Sequence, residues 1–210
     1  MMPFGIPTLL LRVSGVASML AGILLVTGFV LHPAGEDATF GADPLWIPAH
    51  AALWAAFTIA LVGWVGLYIA QASKAGVLGA WAFVVILLGT SLASWIFSSD
   101  VMYVPTIAVE SPGLFGLIVT RGHTFTGIFS VVSWILGNIL FGLSIVKAKV
   151  YKRWSGVLLV VGGPLIPSAY LTGLPVRVVA VGAFVIAVGQ VWLGYELIRM
   201  GKRAADRVEA

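Results

Sequence analysis

Six stretches of this chain, residues 9–31, 45–70, 75–97, 124–146, 154–172 and 174–198, are apolar and free of Asp, Glu, Lys or Arg at their centres. Each is close to or above the roughly 20 residues that a helix needs to cross a bilayer. Lipid offers no partner to a peptide group, so a spanning segment satisfies its own backbone by becoming helical. Composition agrees: 60% of the 210 residues are hydrophobic and only 10% are charged, where a soluble domain keeps roughly a quarter charged. The expected fold is an all-α membrane protein, one membrane domain over residues 1–210, with six transmembrane helices in a compact bundle. The fifth helix is the weakest, because Gly162, Gly163, Pro164 and Pro167 interrupt its second half. Such breaks need neighbouring helices to satisfy the freed backbone groups.

Basic residues set the orientation, since cytoplasmic loops carry the excess of Lys and Arg. With the N-terminus inside, Arg12, Lys74, Lys147, Lys149, Lys152, Arg153, Arg199, Lys202, Arg203 and Arg207 face the cytoplasm, against Arg121 and Arg177 outside. Both termini are therefore expected in the cytoplasm of a prokaryotic plasma membrane. Val13 to Leu31 is an apolar run longer than the roughly 7–15 residues of a signal-peptide core, so it is read as a retained first helix. The net charge of +4 does not point to nucleic acid, because the basic residues sit at helix ends and form no basic face. Cysteine is absent, which excludes disulfides, thiolate metal sites and cysteine nucleophiles.

This orientation puts all three histidines at the outer surface. His32 ends the first helix, His50 begins the second and His123 begins the fourth, with Glu36, Asp37, Asp43, Asp100 and Glu110 on the same side. The stretch from His32 to His50 is an outer loop. Residues 98–123 form a second outer segment, with a short apolar run after Pro112-Gly113 suited to a lid or interfacial helix and with Tyr103 and Phe115 at headgroup level. Neutral imidazole binds divalent metals and haem iron, so His32, His50 and His123 form a candidate metal site, and His50 with His123 a candidate haem pair. No His-x-x-x-His or Glu-x-x-His spacing supports either. The plainer alternative, histidines marking helix ends beside Pro33 and Pro48 with no cofactor bound, is preferred. Within the bundle, Asn138 and Gln190 are costly polar residues expected to face inward, making interhelical contacts or lining a ligand cavity. Arg177 opens the last helix from outside, where an acidic loop residue or a lipid phosphate would meet it. Glu196 and Arg199 suggest a surface ion pair at i,i+3.

Small residues mark packing faces: Ser14, Ser18 and Gly22 on the first helix, Ser130, Ser133 and Gly137 on the fourth, Gly182 and Gly189 on the last. A faint repeat relates Gly66-Leu67-Tyr68-Ile69 to Gly142-Leu143-Ser144-Ile145. With His32-Pro33, Trp46-Ile47-Pro48-Ala49-His50, Gly66-Leu67-Tyr68 and Arg153-Trp154-Ser155-Gly156, the chain resembles a loose group of uncharacterised prokaryotic six-helix membrane proteins. The resemblance implies the topology and carries no activity. No catalytic motif is present. The functional expectation is a non-enzymatic module whose outer cavity takes a lipid, a small apolar ligand or a partner subunit, a second copy of the chain included. A haem or metal protein using the outer histidines is the alternative, and a small-molecule transporter, supported by the interrupted fifth helix, comes third.

Overall fold

The computed structural model describes residues 8–33, 41–117, 123–171 and 176–209. Among them the chain forms α1 (Thr8–Leu31), α2 (Trp46–Met102), α3 (Val104–Glu110), α4 (Pro112–Leu117), α5 (His123–Ala148), α6 (Arg153–Leu171) and α7 (Val176–Glu209), and no strand. Four helical stretches, Thr8–Leu31, Trp46–Met102, Thr126–Ala148 and Val178–Asp206, are long and apolar enough to cross a membrane. Large apolar side chains such as Leu9, Ile23, Trp81, Ile128 and Phe184 point away from the protein. Water would penalise that surface and hydrocarbon does not. The architecture is that of a membrane helical bundle.

Helix boundaries depart from the apolar runs. The second and third runs were expected to be separate helices at 45–70 and 75–97, yet α2 continues through residues 71–74 without a loop. It reverses at one residue, Gly76, whose φ of 59° and ψ of −156° suit glycine alone. The arms 46–75 and 77–102 then lie side by side. Thr58 and Ser94 share a 2.7 Å hydrogen bond, and the rings of Tyr68 and Phe83 stack at 4.4 Å. Polar residues such as Gln71 and Lys74 end an apolar run without ending a helix, because helical hydrogen bonds do not depend on side-chain polarity. For the same reason the second arm runs past 97 and α7 runs past 198.

The fifth helix differs more sharply. α6 is continuous through Pro164 and Pro167, so the expected interruption is absent. Its glycines serve packing. A Cβ at Gly162 would stand 2.7 Å from Ile186 of α7, and one at Gly163 would collide with Asn138 of α5. Close neighbours on both sides hold the helix where proline removes a hydrogen bond.

Close approaches fix the order of the helices. Gly15 lies against Gly194 and Gly22 against Ala187 (α1 with α7); Gly28 lies against Leu53 and Gly63 against Ser18 (α1 with the first arm of α2). Gly89 meets Trp134 and Gly137 meets Ile86 (second arm with α5), Gly142 meets Gly156 (α5 with α6), and Gly182 meets Ile166 (α6 with α7). Wherever two contacts are given, residue numbers rise on one helix as they fall on the other. Neighbours are therefore antiparallel, α7 returns to α1, and the described ends of the chain lie at one end of the bundle. The expected small-residue faces sit at these contacts: Ser18 donates to the Gln190 carbonyl at 2.9 Å, and Ser14 faces Gly66. Gly66 and Gly142 meet different partners, so the repeated motif does not mark equivalent sites.

At the opposite end, α3 and α4 fold over the entrance to α2. Val104, Ala108 and Phe115 bury Trp46. Phe115 thus turns inward rather than sitting at headgroup level, while Tyr103 is exposed. Glu196 does not pair with Arg199 in the expected way. It accepts the Lys152 main-chain N–H at 3.1 Å, next to the positive end of the α6 dipole.

Candidate functional site

A cavity of about 290 Å³ opens among α1, α2, α5 and α6, at the end of the bundle away from the chain termini. Phe29 closes it from α1, and Trp46, His50 and Phe57 come from the first arm of α2. Phe97 and Asp100 come from the second arm, Gly127, Ser130 and Trp134 from α5, and Ile166 and Pro167 from α6. The first arm supplies its residues by helical periodicity: Trp46, His50, Leu53, Phe57, Ala60 and Trp64 follow at three- and four-residue steps and share one buried stripe. The walls are mainly aromatic. Phe57 stacks on Phe97 at 5.3 Å and meets Trp134 edge-on at 5.0 Å.

Polar groups gather at one side. Asp43 accepts the Leu45 N–H at 2.7 Å, setting the turn that leads into α2. One turn into that helix, the His50 ring lies over Trp46, 4.1 Å between centroids and 20° from parallel. His50 Nδ1 is 2.8 Å from the Trp46 carbonyl oxygen. A carbonyl only accepts, so Nδ1 carries the hydrogen and donates. His50 Nε2 faces Asp100 Oδ2 at 4.0 Å. The Trp46 indole N–H donates to the Asp100 carbonyl at 2.9 Å, tying the two arms of α2 together.

His32 joins this group. It follows α1, places Nδ1 2.9 Å from the Pro33 carbonyl oxygen, and sets its ring 4.7 Å from that of His50. Two of the three histidines are thus brought together, both buried. His123 does open α5, but its side chain, like that of Arg177, lies outside the described residues, as do Glu36, Asp37 and Arg121. The expected pairing of His50 with His123 therefore lies outside them too. Among the described residues, no three His, Cys, Asp or Glu side chains form a group that could hold a metal ion.

Asn138 and Gln190 are buried as expected, but neither lines the cavity. Asn138 Nδ2 donates to the Trp134 carbonyl of its own helix at 2.9 Å and its side chain fits against Gly163. Gln190 meets α1 through its main-chain carbonyl. Phe57, Phe97, Gly127 and Trp134 were not foreseen. The stripe through Trp46, His50 and Phe57 was the available signal for one of them, hidden among aromatics that membrane interfaces attract anyway.

The assembled site has an apolar, aromatic body and a small polar side made by His50 and Asp100. It can hold a small amphipathic molecule and orient one end of it. No family model, curated protein or solved structure matches the chain, so the cavity itself is the ground for a functional reading.

Proposed function

We propose that the protein is a six-span plasma-membrane protein, with both termini in the cytoplasm, that acts as a non-enzymatic binding module for a lipid or other small amphipathic molecule. The single observation that carries this reading is the cavity, whose aromatic walls meet His50 and Asp100 on one side. The excess of basic residues near the chain termini supports the orientation, and the antiparallel ring, with both described ends together, is consistent with it. Because the chain has no cysteine, single introduced thiols report topology directly. Asp43→Cys is expected to react with a membrane-impermeant maleimide on intact cells, and Lys202→Cys only after permeabilisation; the reverse pattern overturns the orientation.

Gly127 provides the test of the cavity. It lines the space, and a Cβ there meets nothing within 4 Å. Gly127→Leu should fill the cavity while retaining the fold, since leucine also favours helix over glycine by roughly 0.5–1 kcal/mol. A photoreactive lipid analogue is expected to label cavity residues in the wild type and to lose most of that labelling in the variant. Labelling spread evenly over the lipid-facing surface in both proteins overturns the reading.

A second reading has its own support. Metal-binding histidines commonly donate their other ring N–H to a carbonyl, as His50 does and as the His32 geometry permits. A haem or divalent metal held by these rings would give a Soret band or stoichiometric metal in the purified protein. A colourless, metal-free preparation that regains neither on incubation with haem or divalent metal eliminates it.

A further inference from the structure

At the end of the bundle that holds the chain termini, away from the cavity, α6 and α7 carry a ladder of exposed aromatic rings. Trp154 of α6 lies 4.9 Å from Trp192 of α7 between ring centroids, and Trp192 lies 5.7 Å from Tyr195. The Arg199 guanidinium sits over the Tyr195 ring at 5.6 Å. Tryptophan and tyrosine favour the headgroup level of a membrane, and this ladder stands where the apolar run of α7 gives way to charge. Arg199, Lys202 and Arg203 follow on α7, and Lys152 and Arg153 stand at the start of α6, all exposed. The Lys152 main-chain N–H, 3.1 Å from Glu196 Oε2, holds the two groups of cations side by side. Two acids share this end. Glu196 is turned to that N–H, and Asp206 lies two turns beyond Arg199, so positive charge remains in excess.

From the ladder, exposed apolar residues run toward the middle of the bundle, Val157 and Val161 on α6 beside Val188 and Phe184 on α7. Gly189 draws the two helices together beneath them: a Cβ there would stand 3.3 Å from Leu158. One surface thus joins a cationic end, an aromatic collar and an apolar track, in that order. A soluble anion would use the first part alone, whereas a phospholipid uses all three along its length.

We propose that the seam between α6 and α7 binds one anionic phospholipid, its phosphate at Lys152, Arg153 and Arg199 and an acyl chain along the track. Charge complementarity selects an anionic headgroup over a zwitterionic one, because each Lys or Arg near the surface attracts anionic lipid. Arginine adds paired hydrogen bonds to phosphate oxygens. At the same end α1 and the α2 hairpin each offer a single cation, Arg12 and Lys74.

Native mass spectrometry of the full-length protein released from detergent counts bound lipid directly. The probes are phosphatidylglycerol and phosphatidylcholine with identical acyl chains. The first phosphatidylglycerol is expected to bind about tenfold tighter than the first phosphatidylcholine. That preference should vanish in the double variant Arg153→Gln with Arg199→Gln, and should persist in Lys74→Gln, which removes a charge from the same end. Arg153→Gln alone should already lower it, and supplies the same test should the double variant fail to fold. Equal binding of the two lipids overturns the proposal. A preference that survives the double variant, or that falls as far in Lys74→Gln, also overturns it, because the attraction is then spread over the whole basic end. Displacement of phosphatidylglycerol by soluble glycerol phosphate at the same concentration overturns it in favour of a plain phosphate site.

Discussion

His50 and Tyr151 show what single buried polar side chains contribute at the two ends of this bundle. At the cavity end, Trp46 and His50 are readable in the sequence as a helix start beside Pro48. Their hydrogen bonds are not readable, because the Trp46 indole reaches a carbonyl 54 positions away. At the other end, Tyr151 sits between α5 and α6, buried, with its hydroxyl donating to the Leu67 carbonyl at 3.0 Å. Burial raises its pKa well above 10.0, and the nearby charge of Glu196 pushes the same way. A raised pKa in the folded state means that folding holds the phenol proton more tightly than the unfolded chain does. The stabilisation is complete below the unfolded value of 10.0 and is lost as pH rises above it towards the folded value. Thermal unfolding in detergent should therefore show a midpoint that falls above about pH 10, and less steeply in Tyr151→Phe. At neutral pH that variant should be less stable by about 1 kcal/mol, the value of one hydrogen bond. Parallel pH profiles of the two proteins would sink the assignment.

Helices were easier to find than their ends. Apolar length locates a spanning segment because the bilayer sets it. Where a helix stops is set by backbone geometry, and here two residues with positive φ do that work. Gly76 turns α2 back on itself at φ 59°, and Lys149 ends α5 at φ 55°, its N–H donating to the Ile145 carbonyl at 3.2 Å. Gly76 passes unnoticed among 25 glycines, and Lys149 reads only as a topology charge. The two positions make opposite predictions. A Cβ at Gly76 meets nothing within 4 Å, so Gly76→Ala acts through backbone strain alone and should destabilise by about 1–3 kcal/mol. Lys149→Gly removes the left-handed penalty of roughly 1–2 kcal/mol and pays back part of it in unfolded-chain freedom, for a net gain of about 0.5–1 kcal/mol. Denaturant titration of both variants in one detergent checks the pair. A neutral Gly76→Ala would mean that the turn at 76 is not tight. The same distinction explains α6: Gly162-Gly163-Pro164 has the composition of a break, and only the neighbours Ile186 and Asn138 reveal a packing site.

At the scale of the molecule, the run of hydrophobic segments announces a bundle but not which helices touch. Sequence neighbours are expected to pack, as short connections favour. Contact of α1 with α7 is different, because it joins the two ends of the chain and nothing local encodes it. It rests on close contacts at matched heights: Gly15, Ser18 and Gly22 on one side meet Gly194, the Gln190 carbonyl and Ala187 on the other. This contact closes the ring, while Phe29 is held at the cavity by the packing of α1 on the first arm of α2, where Gly28 lies against Leu53. A cysteine-free chain allows a direct test. A Cβ at Gly22 would lie 3.4 Å from the Ala187 Cβ, close to the roughly 3.5–4.5 Å that a disulfide spans. Gly22→Cys with Ala187→Cys should cross-link on mild oxidation in membranes, seen as a reducible mobility shift on denaturing gels. Gly22→Cys with Phe184→Cys, whose second site faces outward, should not. The cross-linked protein should also resist thermal unfolding better than its reduced form, by about 2–4 kcal/mol for so long a closed loop. If the first pair fails to cross-link while both thiols react with maleimide, α1 and α7 are not neighbours and the ring is open. An efficient cross-link that leaves photolabelling of the cavity unchanged places the closed ring in the state that binds.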